Sequence, residues 1–545
     1  MIKTVLNAQT KSITLSSLIL GVANLASAAL GLFRDRLLAS NFGAGDTLDI
    51  YYAAFRIPDF VAMVFIMGAI SAAIIPVFSE YLVKEKEEAW KFTSSLLSLF
   101  FTLFAFVSFF LIVFTPQLMS LIAPGFKGEK MELTILLTRI MFLSPIILGI
   151  SNIFSGILQV FHRFLVTALA PVLYNVGIIL GIVFFVPKMG IQGLAWGVVL
   201  GGILHLLIQL PVMFASGFNF KKAPILKHAG VRKVIKLMVP RSLGLAATQI
   251  NLIIITAIAS SLASGSITIF NFANNLTAFV LGLVAIPFST AFFPVLSMAY
   301  ANQDKEKFLS TFTSVIRQTI FLVIPLSILL FVLRAQVVRV VLGVGHFGWL
   351  DTKLTAACLG LFSLGILAQG LSLLISKTFF ALHDTKTPAV ISLFTVINTF
   401  IMGSFFVWLL KFPNIFSDFM QNILKLQNIK DIAVIGLPLS FSIAVAVQCI
   451  LLIYFLKRKV NDLKLEDIIT SLIKTLTASA VMVIVTYLGL HFMAGIVDMQ
   501  TFLGVFLQAA ISGIIGLGIY VLAAFLLRSP EIEAIKVLVF RLLKY

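Results

Sequence analysis

Charges crowd one short stretch of an otherwise oily chain: Gly31–Tyr81 carries Arg34, Asp35, Arg36, Asp49, Arg56 and Asp59 inside or beside two long apolar segments. A charge at the centre of a bilayer costs roughly 2.5–3.5 kcal/mol by insertion scales, so such residues persist where they face a wet cavity or one another. Arginine carries a planar fork of donors that grips phosphate bidentately and stays charged. Arg34 and Arg56 therefore read as a cationic patch for an anionic head group. Arg36 points elsewhere, because consecutive helical residues diverge by about 100°. Arg56 and Asp59 share a helix face at i,i+3 spacing, and Pro58 between them removes a backbone donor and kinks the helix. Arg36 and Asp59 fit snorkelling or structural pairing better than binding. Asp49 follows the turn-rich break NFGAGDTL. It is placed either to cap the second helix at its N-terminus or to serve the site.

The elements that carry these charges must be membrane spans. The chain has 545 residues, 60% hydrophobic and only 11% charged, with mean hydropathy +1.09. Soluble domains run nearer 25% charged, and no soluble fold buries this much apolar surface. The fold class is an all-α polytopic membrane protein. A ruler of about 20 apolar residues per span gives about fourteen candidates, near 13–39, 50–80, 93–122, 133–160, 165–187, 191–216, 239–264, 268–299, 310–343, 354–381, 388–410, 432–456, 468–494 and 501–527. The net charge of +18 comes from lysines and arginines in alternate breaks, as the positive-inside rule requires, and not from a nucleic-acid surface. That bias puts both termini in the cytoplasm. The break from Lys411 to Lys430 is an exception, because Lys425 also lies in it. Cys358 and Cys449 both sit in apolar runs, so no disulfide framework is expected. The N-terminus shows no cleavage pattern of a signal peptide; its first apolar segment runs on as a full span.

Two six-span blocks look like repeats. IIPVFSEY at 74–81 matches FFPVLSMAY at 292–300, and at the same offset Arg56 falls opposite Asn274. FHRF at 161–164 echoes ALHD at 381–384. Such duplications build transporters with the substrate site at the repeat interface. The expected organisation is an N-lobe over 1–217 and a C-lobe over 237–460, around a central cavity, with two added spans and a short tail over 461–545. Between the lobes, 218–236 is too charged to span and reads as a linker resembling an amphipathic helix on the inner leaflet.

Other polar groups have milder readings. Arg241 opens the seventh span beside Pro240 and could face the same cavity; Arg139 and Arg317 are further candidates. Gln249, Asn251, Asn271, Asn274 and Asn275 fit interhelical hydrogen bonding. His205, alone in an apolar helix, reads as packing. Neither a Walker-type phosphate loop nor an HExxH helix occurs, so transport without ATP hydrolysis is expected, and no enzyme.

The run FRDRLLASNFGAG…D…AFRIPDF…GAISAAIIPVFSEY resembles the MurJ (MviN) lipid II flippases of the multidrug/oligosaccharidyl-lipid/polysaccharide exporter superfamily. So do IAPGF at 122–126, LAPVLYNVGIILG at 169–181, GGILHLLIQLP at 201–211, TQIN at 248–251 and ALHDTKTP at 381–388. The resemblance runs in order from about residue 15 to 460, and the two added spans fit it. It implies fourteen helices in two lobes about a V-shaped cavity, with the last two forming a groove for a polyprenyl tail. It implies alternating-access transfer of undecaprenyl-pyrophosphate-linked disaccharide pentapeptide to the outer leaflet of a bacterial cytoplasmic membrane. The implied partners are lipid II, or a similar polyprenyl-pyrophosphate glycan, and membrane lipids; the chain is expected to act as a monomer. No cofactor is implied, only membrane potential or a monovalent cation. The family's cavity arginine and acid fall at Arg34 and Asp35, its acid after GAG at Asp49 and its basic position before proline at Arg56.

Other family positions are changed. The additional first-span arginine is Ala28, the late second-span arginine falls at Ala62 or Met63, the nearby acid at Met67, and the eighth-span arginine at Asn275 after Asn274. Arg241 stands as replacement charge. The expected substrate-binding set is therefore Arg34, Asp35, Asp49, Arg56, Arg241, Asn274 and Asn275. A flippase for another polyprenyl-linked glycan, a cation-coupled drug antiporter of the superfamily and a non-transporting envelope scaffold are the competing readings.

Overall fold

A computed structural model of the chain describes residues 13–67, 73–220, 228–460, 463 and 465–532. Helices account for nearly all of these, and no strand occurs among them. In hydrocarbon each backbone N–H and C=O must be satisfied by the protein itself, and a single helix does this within its own segment. Eleven helices among the described residues are long and apolar enough to cross a membrane. The chain is an all-α polytopic membrane protein. The spans expected at 13–39, 50–80 and 239–264 are helical but fall outside those eleven. The first carries Arg34, Asp35 and Arg36, the second is interrupted by the undescribed residues 68–72, and only Ala246–Ala259 of the third is a short apolar helix.

The chain divides into two compact units, Met1–Thr268 and Ile269–Tyr545. In the first, α1 (Ile13–Phe42) is followed by α2 (Asp46–Val61), which runs into a π-helical turn, Ala62–Met67. Pro58 lies inside α2, just before that turn. Then come α3 (Ile75–Lys84), α4 (Lys86–Val113), α5 (Thr115–Ile122), α6 (Glu129–Met141), α7 (Leu143–Val160), α8 (Phe164–Leu180), α9 (Val186–Met189), α10 (Gln192–Leu207), α11 (Leu210–Ala215) and α12 (Ala229–Ala259). Of the segment 218–236, residues 221–227 lie outside the described residues, and Ala229–Lys236 form the first turns of α12. His228 caps that helix through Nδ1, which accepts from Gly230 N at 3.1 Å. Lys233 then bonds Glu80 of α3.

Two devices hold the first unit together. Between α8, with the π turn Gly181–Phe185 that follows it, and α10, glycines let the backbones touch: a methyl group on Gly177 would collide with Gly201, and one on Gly181 with Gly197. Without a hydrophobic drive between helices in lipid, such close packing is a main source of association. A buried polar knot joins α7 to α10. Ser151 Oγ lies 2.6 Å from His205 Nδ1 and accepts from Gln209 Nε2 at 2.8 Å. Gln209 Oε1 accepts from Ser155 at 2.9 Å. His205 is thus a satisfied structural residue.

The second unit takes in most of α13 (Ser266–Leu283), then α14 (Ala285–Ala301), α15 (Lys305–Val332), α16 (Arg334–Leu342), α17 (Trp349–Ala381), α18 (Lys386–Leu410), α19 (Ile415–Leu424), α20 (Gly436–Lys459), α21 (Leu465–Ala494) and α22 (Phe502–Leu526). Helix α17 packs against α14, α15 and α20. Phe312, Leu374, Phe379 and Leu452 fill the core between them. The hairpin of α21 and α22 joins α15 through Phe321, Met482 and Tyr520, and Tyr520 Oη donates to Phe321 O at 2.6 Å. Arg317 is a structural anchor here: its Nε donates to buried Glu531 at 2.8 Å, which Ser471 and Ser529 also bond.

The echo of FHRF and ALHD has a backbone counterpart. His162 and His383 both sit at φ +57°. Each ends a helix with the same pair of turns, His162 N to Gln159 O with Arg163 N to Leu158 O, and His383 N to Phe380 O with Asp384 N to Phe379 O. These are the doubled bonds that close a helix C-terminus. Burial opposes charge on Asp384, but Lys459 and Thr387 overcome it and hold the carboxylate down at about 2.

Gly197→Leu should cost about 2 kcal/mol or more, as overpacking does, and lower the thermal midpoint of the purified protein. Gly282→Leu, with nothing within 4 Å of the added carbon, should leave the midpoint unchanged. Equal effects in a detergent melt would refute the glycine seam.

Candidate functional site

Arg34 lies on α1 and is held from two sides. Its Nε and Nη2 donate to Asp35 Oδ1 at 3.1 and 2.9 Å. Its Nη1 donates to Asn175 Oδ1 on α8 at 3.3 Å. Asn175 is itself fixed, with Nδ2 donating to Ser27 Oγ at 3.2 Å and to Pro171 O at 3.2 Å. Asp35 is buried, while Arg34 keeps 21% of its side chain exposed. A guanidinium has five N–H donors, and these bonds use three of its nitrogens in one direction each. Two of the five N–H groups, one on each Nη, are left over from these bonds for an anion.

Arg56 is more deeply set, at 7% exposure. Its Nε donates to Thr256 Oγ1 on α12 at 2.7 Å. The Thr256 hydroxyl spends its own proton on Leu252 O, at 2.8 Å, which leaves its lone pairs to the arginine. The same helix meets the π turn after α2, where Ser242 Oγ donates to Val64 O at 2.7 Å. Asp59, one turn beyond Arg56, is half-buried.

Asp49 does cap a helix, but not its own. Gly45 is the N-cap of α2. The Asp49 carboxylate, 2% exposed, accepts from Gly265 N at 2.8 Å and from Thr268 N and Oγ1 at 2.8 Å each. These groups stand at the head of α13, where backbone donors lack helical partners. Lys130 Nζ lies 3.9 Å from Asp49 Oδ2 and bonds Asp46. Burial works against the Asp46 charge, but Lys130 and Ser264 hold its pKa below the ordinary carboxylate value.

Of the expected residues, the structure brings Arg34 and Asp35 into direct contact and sets Arg56 and Asp49 on α2. Arg241 falls on α12, and its side chain lies outside the described residues. Asn274 and Asn275 are half-buried on α13 in the second unit. Sequence reasoning missed Asn175, Thr256 and Lys130. Asn175 had one signal: it is a lone amide in the apolar run LAPVLYNVGIILG.

Replacing Asp49 tests the cap. Asp49→Leu strands three donors, and each buried unsatisfied group costs roughly 1–3 kcal/mol. Asp49→Asn keeps an acceptor and should cost clearly less. Thermal midpoints give the order; equal losses for Asn and Leu would mean that the charge, and not the hydrogen bonds, is what the site requires.

Residues 38–507 match the family model described as Lipid II flippase MurJ. A relative from Buchnera aphidicola subsp. Acyrthosiphon pisum, named probable lipid II flippase MurJ, is 32% identical over 483 residues, 86% of this chain and 89% of that one. Another from Burkholderia cenocepacia, named lipid II flippase MurJ, is 30% identical over 70% of this chain and 76% of its own. Among solved structures, a lipid II flippase MurJ in an inward closed conformation superposes with a TM-score of 0.73 at 26% identity, covering 92% of this chain and 98% of that one. An inward-facing MATE transporter of the MOP superfamily shares the fold alone, with a TM-score of 0.63 at 16% identity, covering 82% and 99%. With this much of its length matched, the chain belongs to the MurJ lipid II flippase family.

Proposed function

We propose that this chain moves lipid II, the undecaprenyl-pyrophosphate-linked peptidoglycan precursor, from the inner to the outer leaflet of the bacterial cytoplasmic membrane by alternating access. The single observation that carries the reading is Arg34: a guanidinium on an apolar helix, fixed by Asp35 and Asn175, with 21% of its side chain exposed. In this role Arg34 and Arg56 bind the pyrophosphate, Asp35 orients Arg34, and Asp49 holds the helix head at Gly265 and Thr268. Arg241, Asn274 and Asn275 supply further polar contacts. The lobes are 1–217 and 237–460, joined by the linker 218–236, and 461–545 adds two spans for the tail. The protein works as a monomer with both termini in the cytoplasm.

No cofactor enters. A pyrophosphate diester carries about two negative charges, and an inside-negative potential of 100 mV favours outward movement by roughly 2.3 kcal/mol per charge. A monovalent cation is the other coupling source. Alanine at 28 and asparagine at 275, where the family pattern has arginine, favour one second reading: a flippase for another polyprenyl-linked glycan.

The test is rescue of a bacterium depleted of its own flippase, with outer-leaflet lipid II as readout. The parent should rescue. Arg34→Ala, at equal membrane level, should fail and bind lipid II roughly tenfold to a hundredfold more weakly, since hydrogen bonds to charged groups contribute about 1.5–3 kcal/mol. Arg34→Lys should fall between, because an ammonium is a point charge without the fork. Failure of a well-inserted parent would point to another glycan; full rescue by Arg34→Ala would remove Arg34 from the binding set.

A further inference from the structure

The break between α18 and α20 departs from the alternation of basic residues along the chain, with lysines at 411, 425 and 430. It is not a plain loop. Helix α19 fills its centre, started by Asn414, whose Oδ1 accepts from Ser417 N at 2.9 Å. Asn414 Nδ2 donates to Leu409 O and Phe412 O at 2.6 and 2.7 Å, which ties the helix start to the end of α18. Lys425 ends the helix in the left-handed region at φ +57°, and Leu426 N returns to Gln421 O at 2.8 Å.

This short helix has three distinct faces. Ser417, Met420 and Leu424 are buried, and Phe416 stacks on Phe406 of α18 with ring centroids 5.9 Å apart. Ile415, Phe419 and Ile423 are all exposed, Ile415 at 91%. Their i, i+4, i+8 spacing makes one stripe. Asp418, Asn422 and Lys425 form an exposed polar side. The apolar stripe continues the exposed ridge of α18, Phe405 and Trp408, through exposed Phe412. On a membrane-spanning chain that ridge faces lipid.

We propose that α19 is a surface-lying membrane helix. Its Ile415–Phe419–Ile423 stripe enters the acyl boundary of the leaflet where α18 and α20 meet, and Lys411, Lys425 and Lys430 engage anionic phospholipid head groups. Segregated apolar and polar faces with flanking lysines are what such helices require, and they sink about 5–10 Å into the boundary. Lysines near an anionic surface are drawn to it, which gives the basic residues of this break a role other than topology. The inference stands apart from the substrate: it concerns how the protein is seated in its membrane.

The test places nitroxide labels on single cysteines in the full chain carrying Cys358→Ala and Cys449→Ala, in nanodiscs with or without phosphatidylglycerol. Phe419→Cys and Ile423→Cys should be several-fold more accessible to oxygen than to a nickel chelate. Asn422→Cys should show the reverse. Should Phe419→Cys fail to fold, Ile415→Cys reads the same stripe from a position with few contacts. Replacing all three lysines by glutamine should reduce the depth of the 419 label in anionic discs only. Nickel access at 419 equal to that at 422 would overturn the proposal. So would protection from both reagents, which would mean a protein covers the stripe. No effect of the lysine replacements would overturn the head-group assignment.

Discussion

An arginine in a lipid-embedded helix must be held by hydrogen bonds, or it either snorkels away or disrupts its surroundings. The structure meets this constraint differently at its two leading arginines. Arg34 is offset by its neighbour Asp35 and steadied by Asn175 from α8. Arg56 reaches across to a neutral hydroxyl on α12. Removing one partner from a buried charge is strongly destabilising, of order 3–5 kcal/mol. The packing of α1 on α8 and of α2 on α12 is therefore tied to the same groups that the proposed function uses.

The same accounting applies to helix ends. A span that begins or stops away from water must have its free N–H and C=O groups met. Asp49 does this for the head of α13, and at the exposed residues His162 and His383 paired backbone turns close two C-termini. Ser242 of α12 bonds a carbonyl of the π turn from the side. Asp49 and Ser242 act through single side chains, and the two histidine turns act through the backbone alone. Between interruptions, close contact of small residues suffices, as along the glycines of α8 and α10.

How far the sequence was legible follows from what periodicity can report. Apolar runs of span length gave the all-α membrane class, and charges inside those runs singled out Arg34, Asp35, Asp49 and Arg56. Periodicity reports which face a residue occupies, but not which helix lies opposite. Asn175 and Thr256 are about 141 and 200 residues away from their arginines in the chain, and neither stood out as a partner. Asp49 was legible as a capping residue because of its type and its turn-rich approach. That it caps α13 and not α2 depends on a contact 216 residues away. Arg317, read only as a further candidate, is instead an anchor for the segment after α22 through Glu531.

The adjacency of Arg34 and Asp35 bears on how a head group would be released. A lone buried guanidinium would hold a pyrophosphate strongly and be costly when empty. With Asp35 occupying Nε and Nη2, the empty state is already compensated, and an arriving phosphate meets only the remaining donors. Its gain is the difference between two charge-assisted contacts, not the full value of one. Transport needs binding favourable enough to enter and weak enough to leave. Arg34 held by Asp35 meets that need better than a denser arginine cluster would.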